Sequence, residues 1–157
     1  MRPTLPLSAW RIAVDLEASR SIRRQRGHPA EGCTCADCMT WKRVVSRAFP
    51  TELDVQLQRL GIERDKPTDL YVYARNEGGL GFRVMFHVAG KILSGPSPWL
   101  DGTDSDRMHN YHVVQSEPTW VGLRVSTEKD SFEYAPELVH GVRSDVLCID
   151  FRLEVFV

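Results

Sequence analysis

The chain has 157 residues, of which 42% are apolar and 26% are charged, and its formal net charge is −1. This length suits one ordinary domain, and the composition excludes the disordered and membrane-spanning classes. The first eight residues contain one cation and no apolar run, so we expect neither a secretion signal nor a membrane anchor. The sequence therefore predicts a soluble, cytoplasmic, single-domain protein spanning residues 1–157.

The first 64 residues show a helical spacing of apolar side chains. A first helix capped by Ser8 is predicted because four apolar residues recur at helical intervals. These residues are Ile12, Ala13, Leu16 and Ile22. A second helix is predicted from the cysteine loop to Pro50, and a third from Thr51 to Gly61.

From residue 69 onward apolar residues occupy alternate positions, which is typical of strands. The predicted strands are Asp69–Asn76, Leu80–Leu93, His109–Gln115, Thr119–Ser126 and Asp145–Val157. The alternation places His87 and Cys148 on the less apolar face of the sheet. The predicted fold class is therefore α+β, in which an N-terminal helical part (1–64) with a zinc knuckle packs on a C-terminal part (65–157) with a mainly antiparallel sheet of about five strands.

The two parts differ in charge. Residues 1–64 contain 11 Lys/Arg and 7 Asp/Glu, whereas residues 65–157 contain 9 and 14. Opposite charges can attract across an interface inside the protein, and a basic surface can also face nucleic acid or an acidic partner. Composition leaves both interpretations open.

Three of the four cysteines, Cys33, Cys35 and Cys38, fall within six residues. Zinc prefers four thiolate or imidazole ligands in a tetrahedron, and two cysteines separated by two residues can bind one ion through a tight turn. Gly32 permits the backbone angles that such a turn requires. The predicted cofactor is therefore zinc, bound by the three cysteines with His28 as the fourth ligand. Cys148 is the alternative fourth ligand, and it would join the helical and sheet parts.

Other interpretations of these cysteines are unligated burial, a disulfide between Cys33 and Cys38, a reactive thiol, and an iron–sulfur cluster. A cytoplasmic location favours reduced thiols over a disulfide. A thiolate-rich donor set leaves little Lewis acidity, which favours a structural metal over a catalytic one. Flanking basic residues would offset the negative charge of the metal and its thiolates. They are Arg23, Arg24, Arg26, Lys42 and Arg43.

Weaker candidates for a catalytic site lie in the second part. His87, His109 and His112 are candidate acid–base residues. A second hypothesis is a metal or acid–base site formed by His109 and His112 with Asp104 or Asp106. The alternative is that Asp101–Asp106 form a solvated acidic loop and that the histidines have a packing role without catalysis or metal binding. On a strand, His109 and His112 point to opposite faces, which weakens joint ligation.

Three functions follow from these patterns. The preferred one is a non-enzymatic binding or adaptor domain with a structural zinc site and a protein partner. The second is a small enzyme that uses the histidines with a carboxylate. The third is nucleic-acid binding through basic residues of the helical part. Those residues are Arg20, Arg23, Arg24, Arg26, Lys42, Arg43 and Arg47.

Overall fold

The computed structural model describes residues 2–100, 108–127, 130, 134–138 and 145–157, and its centre is one curled antiparallel sheet. The strands are β1 (Thr4–Leu7), β2 (Trp10–Asp15), β3 (Asp69–Asn76), β4 (Gly79–Ser94), β5 (His112–Gln115), β6 (Val121–Thr127) and β7 (Val146–Phe156). The helices are α1 (Leu16–Arg24), α2 (Ala36–Val44) and α3 (Thr51–Arg59), with a 3-10 turn at Val45–Arg47. None of these helices is long and apolar enough to cross a membrane.

The sheet is organised around β4, the longest strand. Its neighbours run in the order β1-β2-β4-β7-β6-β5, and β3 pairs with β4 on the edge that β2 also uses. The first half of β4, up to Met85, pairs with β3, whereas the second half, from Ala89, pairs with β2. β7 pairs with β4 along the opposite edge from Gly79 to Ala89. The antiparallel arrangement predicted from the sequence is confirmed, but the sheet has seven strands instead of about five.

The main core lies between one face of the sheet and the helices α2 and α3. The ring of Trp41 lies 5.3 Å from that of Phe82, and the ring of Phe49 lies 4.9 Å from that of Phe151. The predicted alternation along β7 is confirmed, because its odd-numbered residues from Leu147 to Val155 are buried in this core. Apolar burial of this kind contributes about 25 cal/mol for each Å² removed from water.

The predicted helix from Ser8 is wrong over its first half. Residues up to Asp15 form the hairpin of β1 and β2, with Ser8 in the turn at a φ of 51°. The buried side chains of Trp10, Ile12 and Val14 alternate with exposed or half-buried neighbours, which is the period of a strand. The helix begins only at Leu16, where the Asp15 side chain accepts a hydrogen bond from the backbone N–H of Ala18.

Helix α1 lies on the other face of the sheet from α2 and α3. Ile22 packs with Ala89 and Val146 in a small cluster that is separate from the main core. The Ser19 hydroxyl accepts a hydrogen bond from the backbone N–H of Ala89 at 2.9 Å. Helix α1 therefore covers the less apolar face, so both faces of the sheet are buried in the region of β4.

The close approach of β2 and β4 generates a prediction at Gly90. A Cβ atom at this position would lie 2.5 Å from the backbone oxygen of Ala13, which is too close for any real contact. We expect Gly90→Ala to lower the free energy of unfolding by about 2 kcal/mol because paired backbone must move apart. Urea unfolding followed by circular dichroism measures this change.

The matched control is Gly79→Ala on the same strand, where the nearest atom, the Val155 oxygen, lies at 3.2 Å. This variant should lose less than half as much stability. Equal losses in the two variants would contradict the β2–β4 register described above.

Candidate metal centre

The cysteine loop connects α1 to α2 and is shaped by two glycines with positive φ. Gly27 has a φ of 89° and Gly32 a φ of 63°, a backbone region that other residues rarely adopt. The backbone N–H of Cys33 donates to the carbonyl of Ala30, and the N–H of Ala30 donates to the carbonyl of Thr68 at 3.0 Å. The part of the loop that precedes the cysteines is therefore hydrogen-bonded to the segment that leads into β3.

The loop brings Cys33, Cys35 and Cys38 together as the sequence predicts. Their sulfur atoms all lie within 4.8 Å of one another, and no disulfide joins them. Three sulfurs bound to one tetrahedral zinc at 2.3 Å lie about 3.8 Å apart, so small side-chain rotations suffice to close the site. Cys38 is buried, Cys33 is half-buried and Cys35 is exposed, which gives the cluster an interior side and a solvent side.

The start of α2 supplies favourable electrostatics for a thiolate. Cys35 is the N-cap residue, and its sulfur accepts a hydrogen bond from the backbone N–H of Cys38 at 3.5 Å. This hydrogen bond is the main reason why the pKa of Cys35 lies below its ordinary value, and the neighbouring thiols lower it further. Burial, in contrast, raises the pKa of Cys38 to about 12. A cation shared by the three sulfurs would stabilise all of them as thiolates.

His28 lies outside the sulfur cluster. A carbonyl only accepts, so Nε2 of His28 donates to the backbone oxygen of Ile22 at 2.9 Å. This leaves Nδ1 to accept from the Tyr134 hydroxyl at 3.0 Å. Both ring nitrogens are thus engaged in hydrogen bonds, and the cluster of metal-ligating atoms contains only the three cysteines.

Cys148 is also outside the cluster. It is buried on β7, opposite His87 on β4 and opposite Ser126 on β6. The predicted placement of Cys148 and His87 on the less apolar face is therefore confirmed, and this face is covered by α1 and its neighbours. Among the described residues, no histidine, cysteine or carboxylate completes a group of four ligand atoms within 4.8 Å.

The three candidate catalytic histidines have separate surroundings. His112 pairs with Leu123, a residue of the apolar core, and its ring lies 5.7 Å from that of Trp10. His109 packs against the ring of Trp99 at 5.2 Å. His87 lies on the opposite face of the sheet from His112. Asp104 and Asp106 fall outside the described residues, as does the loop Asp101–Asp106.

His87 is buried with a single well-formed hydrogen bond. The hydroxyl of Thr68 donates to the carbonyl of Met85, so it accepts from Nδ1 of His87 at 2.7 Å. Nε2 of His87 is buried and makes no hydrogen bond. Burial is the main cause that lowers the pKa of His87 to about 4, and His28 lowers it further, while the Tyr134 backbone and Asp150 oppose the shift. The ring is therefore neutral near pH 7.

Sequence analysis missed a charged network on the same face. Asp150 is fully buried and binds Arg83 through both carboxylate oxygens, at 3.0 and 2.8 Å. The Tyr111 hydroxyl donates to the same carboxylate at 2.8 Å, and Nη1 of the fully buried Arg124 lies 3.7 Å away. A sequence signal for this network exists, because Arg83, Arg124 and Asp150 each lie within a strand at a position between two apolar residues. Charges at such positions are expected to pair when the face is buried.

Aromatic rings cover the arginines of this face. The guanidinium carbon of Arg124 lies 4.9 Å from the centre of the Trp99 ring. That of Arg152 lies 5.3 Å from the Tyr73 ring and 5.0 Å from the Tyr111 ring. Guanidinium groups are weakly hydrated and stack well on rings, which lowers the cost of burying them. These aromatic residues therefore pack against arginines in this structure.

Comparison of the chain with known proteins gives no further guidance, since no family model, curated protein or solved structure matches it.

The burial of His87 predicts that the free energy of unfolding falls in acid. Its pKa of about 4 in the folded state lies below the ordinary value of 6.5, so the unfolded chain binds the extra proton as pH falls through this window. The contribution of His87 is fully present above pH 6.5 and is lost towards pH 4, which amounts to about 3 kcal/mol. Urea unfolding between pH 7 and pH 3.5 measures this change.

The variant His87→Gln removes the titrating group and should flatten this part of the pH profile, even if its stability at pH 7 is lower. A profile as steep as that of the wild type would show that another group causes the acid sensitivity.

Proposed function

We propose that this protein is a metal-binding protein whose ion is held by Cys33, Cys35 and Cys38. The observation that supports it is the convergence of three free thiols within 4.8 Å at the first turn of α2. Thiolate ligands select zinc, copper(I) and iron–sulfur clusters over hard cations. Zinc is the proposed ion because a cysteine pair separated by two residues, in a tight turn before a helix, suits its tetrahedral coordination.

The metal is proposed to be structural. It would fix the loop whose end begins α2, and α2 contributes Trp41 and Val44 to the main core. The side chain of Asp37 in the same first turn binds Arg75 of β3 at 2.8 Å, so the loop is also linked to the sheet. Ordering of the loop by the metal would thus stabilise both the helical layer and the sheet.

A non-enzymatic binding or adaptor role with a protein partner completes the proposal. It is supported by the donor set, because three thiolates leave the ion little Lewis acidity. It is also supported by the separate surroundings of His87, His109 and His112. The proposed location is the cytoplasm, where free thiols are maintained.

The fourth coordination position is proposed to be open to exchange and filled by an external ligand, which completes the four ligands of a structural zinc ion. His28 would have to give up a hydrogen bond to Ile22 or Tyr134 before it could bind the ion. Cys148 belongs to the sheet and lies opposite His87. Cys35 is exposed, so water or a partner's side chain can reach the metal from its side of the cluster.

Metal content tests the proposal directly. Protein purified without chelator should contain close to one zinc ion per chain, as measured by inductively coupled plasma mass spectrometry. Cys35→Ser should reduce this content at least tenfold, since one of three protein ligands is lost. The matched control is Cys148→Ser, which also removes a cysteine thiol but should retain the ion. Absence of a bound metal from the wild type would reject the proposed function.

Cobalt substitution tests the fourth position. Cobalt(II) bound to three thiolates absorbs in the visible range, and its spectrum depends on the remaining ligand. Addition of imidazole should change the wild-type spectrum because the position is open, and His28→Ala should behave as the wild type does. If His28→Ala alone changes the spectrum and imidazole restores it, His28 is the fourth ligand. The same test with Cys148→Ser identifies or rejects Cys148.

A further inference from the structure

Two adjoining cavities lie between α1, the cysteine loop and the segment that leads into β3. Each has a volume of about 320 Å³, which is at the lower end of the range for small-molecule sites. They share Arg23, His28 and Lys66 as a common wall. Arg23 and His28 are five residues apart, whereas Lys66 comes from the distant segment before β3, so the sequence pattern alone does not bring all three together.

The walls of these cavities carry an excess of positive charge. Five basic residues line them, against three acidic ones. The basic residues are Arg20, Arg23, Arg24, Lys42 and Lys66, and the acidic ones are Glu31, Glu63 and Asp65. Glu63 pairs with Lys66 at 2.7 Å and lies 3.9 Å from Arg23. Within the described part of the chain, Arg20, Arg24 and Lys42 have no carboxylate within 4.0 Å.

Arg23 shows that these charges act on one another. Its pKa lies below its ordinary value mainly because the side chain is partly buried, and the positive charges of Arg20 and Arg24 lower it further against the opposing effect of Glu63. A bound anion would offset both the burial and the repulsion between like charges.

The dipole of α1 explains part of this arrangement without a ligand. Arg23 and Arg24 are in the last turn of the helix, where positive charge is favourable. The dipole does not account for Lys42 on α2 or for Lys66 in the loop before β3, which face the same cavities. Convergence of cations from three segments on two partly open cavities instead favours the binding of an anion.

We propose that the two cavities form a binding site for a small molecule that carries at least two phosphate groups. Arginine side chains present a planar set of donors that matches phosphate oxygens, and lysines add point charge. Arg23, His28 and Lys66 line both cavities, so they can donate to two neighbouring phosphate groups of one ligand. None of the three cysteines of the proposed metal centre lines either cavity, although residues 30–32 of the cysteine loop form part of one wall.

A small ligand agrees with the structure better than a nucleic acid does. Two of the basic residues that suggested nucleic-acid binding point elsewhere, since Arg43 donates to Thr40 at 2.9 Å and Arg47 to the backbone oxygen of Phe156 at 2.6 Å. The remaining cations line two partly open cavities instead of forming a long basic stripe.

Titration calorimetry with pyrophosphate in chelator-treated buffer at 50 mM NaCl tests the proposal. The full chain should bind one pyrophosphate with a Kd below 1 mM, and binding should weaken as salt is raised. The double variant Arg24→Gln/Lys66→Gln should weaken binding at least tenfold, because it removes one unpaired cation and one residue of the shared wall. Arg20→Gln provides a second variant on the surface of α1, with a smaller loss expected.

The matched control is Arg59→Gln, which removes an exposed arginine at the end of α3, outside both cavities. It should change the Kd less than twofold. Failure of the wild type to bind pyrophosphate, or an equal loss in the control variant, would overturn the proposal.

One further measurement separates a nucleic acid from a small ligand. A single-stranded oligonucleotide of 12 residues should not displace pyrophosphate. Displacement by the oligonucleotide with higher affinity would overturn the small-molecule assignment. Failure of the zinc test leaves the pyrophosphate result unaffected, so the two proposals can fail independently.

Discussion

The fold depends on one constraint, which is that β4 must be covered on both faces. Ten consecutive residues of this strand, from Gly81 to Gly90, are buried. A strand in this position normally contains apolar residues throughout. Here the two faces differ, because Phe82, Phe86 and their neighbours face the main core, whereas Arg83 and His87 face the layer that includes α1.

On the polar face, the buried carboxylate of Asp150 is satisfied by neighbouring donors. Asp150 accepts hydrogen bonds from Arg83 and Tyr111, and its charge favours the nearby guanidinium of Arg124. Removal of one member of such a buried group commonly costs about 3–5 kcal/mol, because the remaining charge is left without a partner. The network also holds Pro98 and Tyr111 in place, since Arg124 donates to the carbonyl of Pro98 and Tyr111 donates to Asp150. Specific side-chain pairing thus performs on this face the role that apolar packing performs on the other.

The sequence predicts some elements better than others, and the reason is the range of the interactions involved. Strand β3 was predicted at Asp69–Asn76, where it is found, because alternation over eight residues is a local signal. The cysteine cluster is equally local, since its three cysteines lie within six residues. The sequence places the start of the first helix too early, because Ile12 and Leu16 fit helical spacing. Trp10, Ile12 and Val14 also fit strand spacing, and this is the pattern that the structure follows. The outcome was decided by β4, which offers β2 an edge that local propensity does not reveal.

The charged network and the basic cavities were not predicted for a related reason. Asp150 meets Arg83 only because the register of β4 and β7 sets Met85 opposite Asp150. The cavities need Arg23, Lys42 and Lys66 from three elements. Neither arrangement follows from spacing along the chain, because each requires the sheet order to be known first.

The position of β2 in the sheet has a consequence for synthesis on the ribosome. The β1–β2 hairpin is translated well before its partner edge in β4, which extends to Ser94. An isolated hairpin is marginally stable at best in water. The apolar side of β2, including the large ring of Trp10, therefore lacks its partner strand until β4 has been translated. Pairing over such sequence distances also slows folding relative to helical proteins of the same size, which makes the nascent hairpin a natural substrate for chaperones.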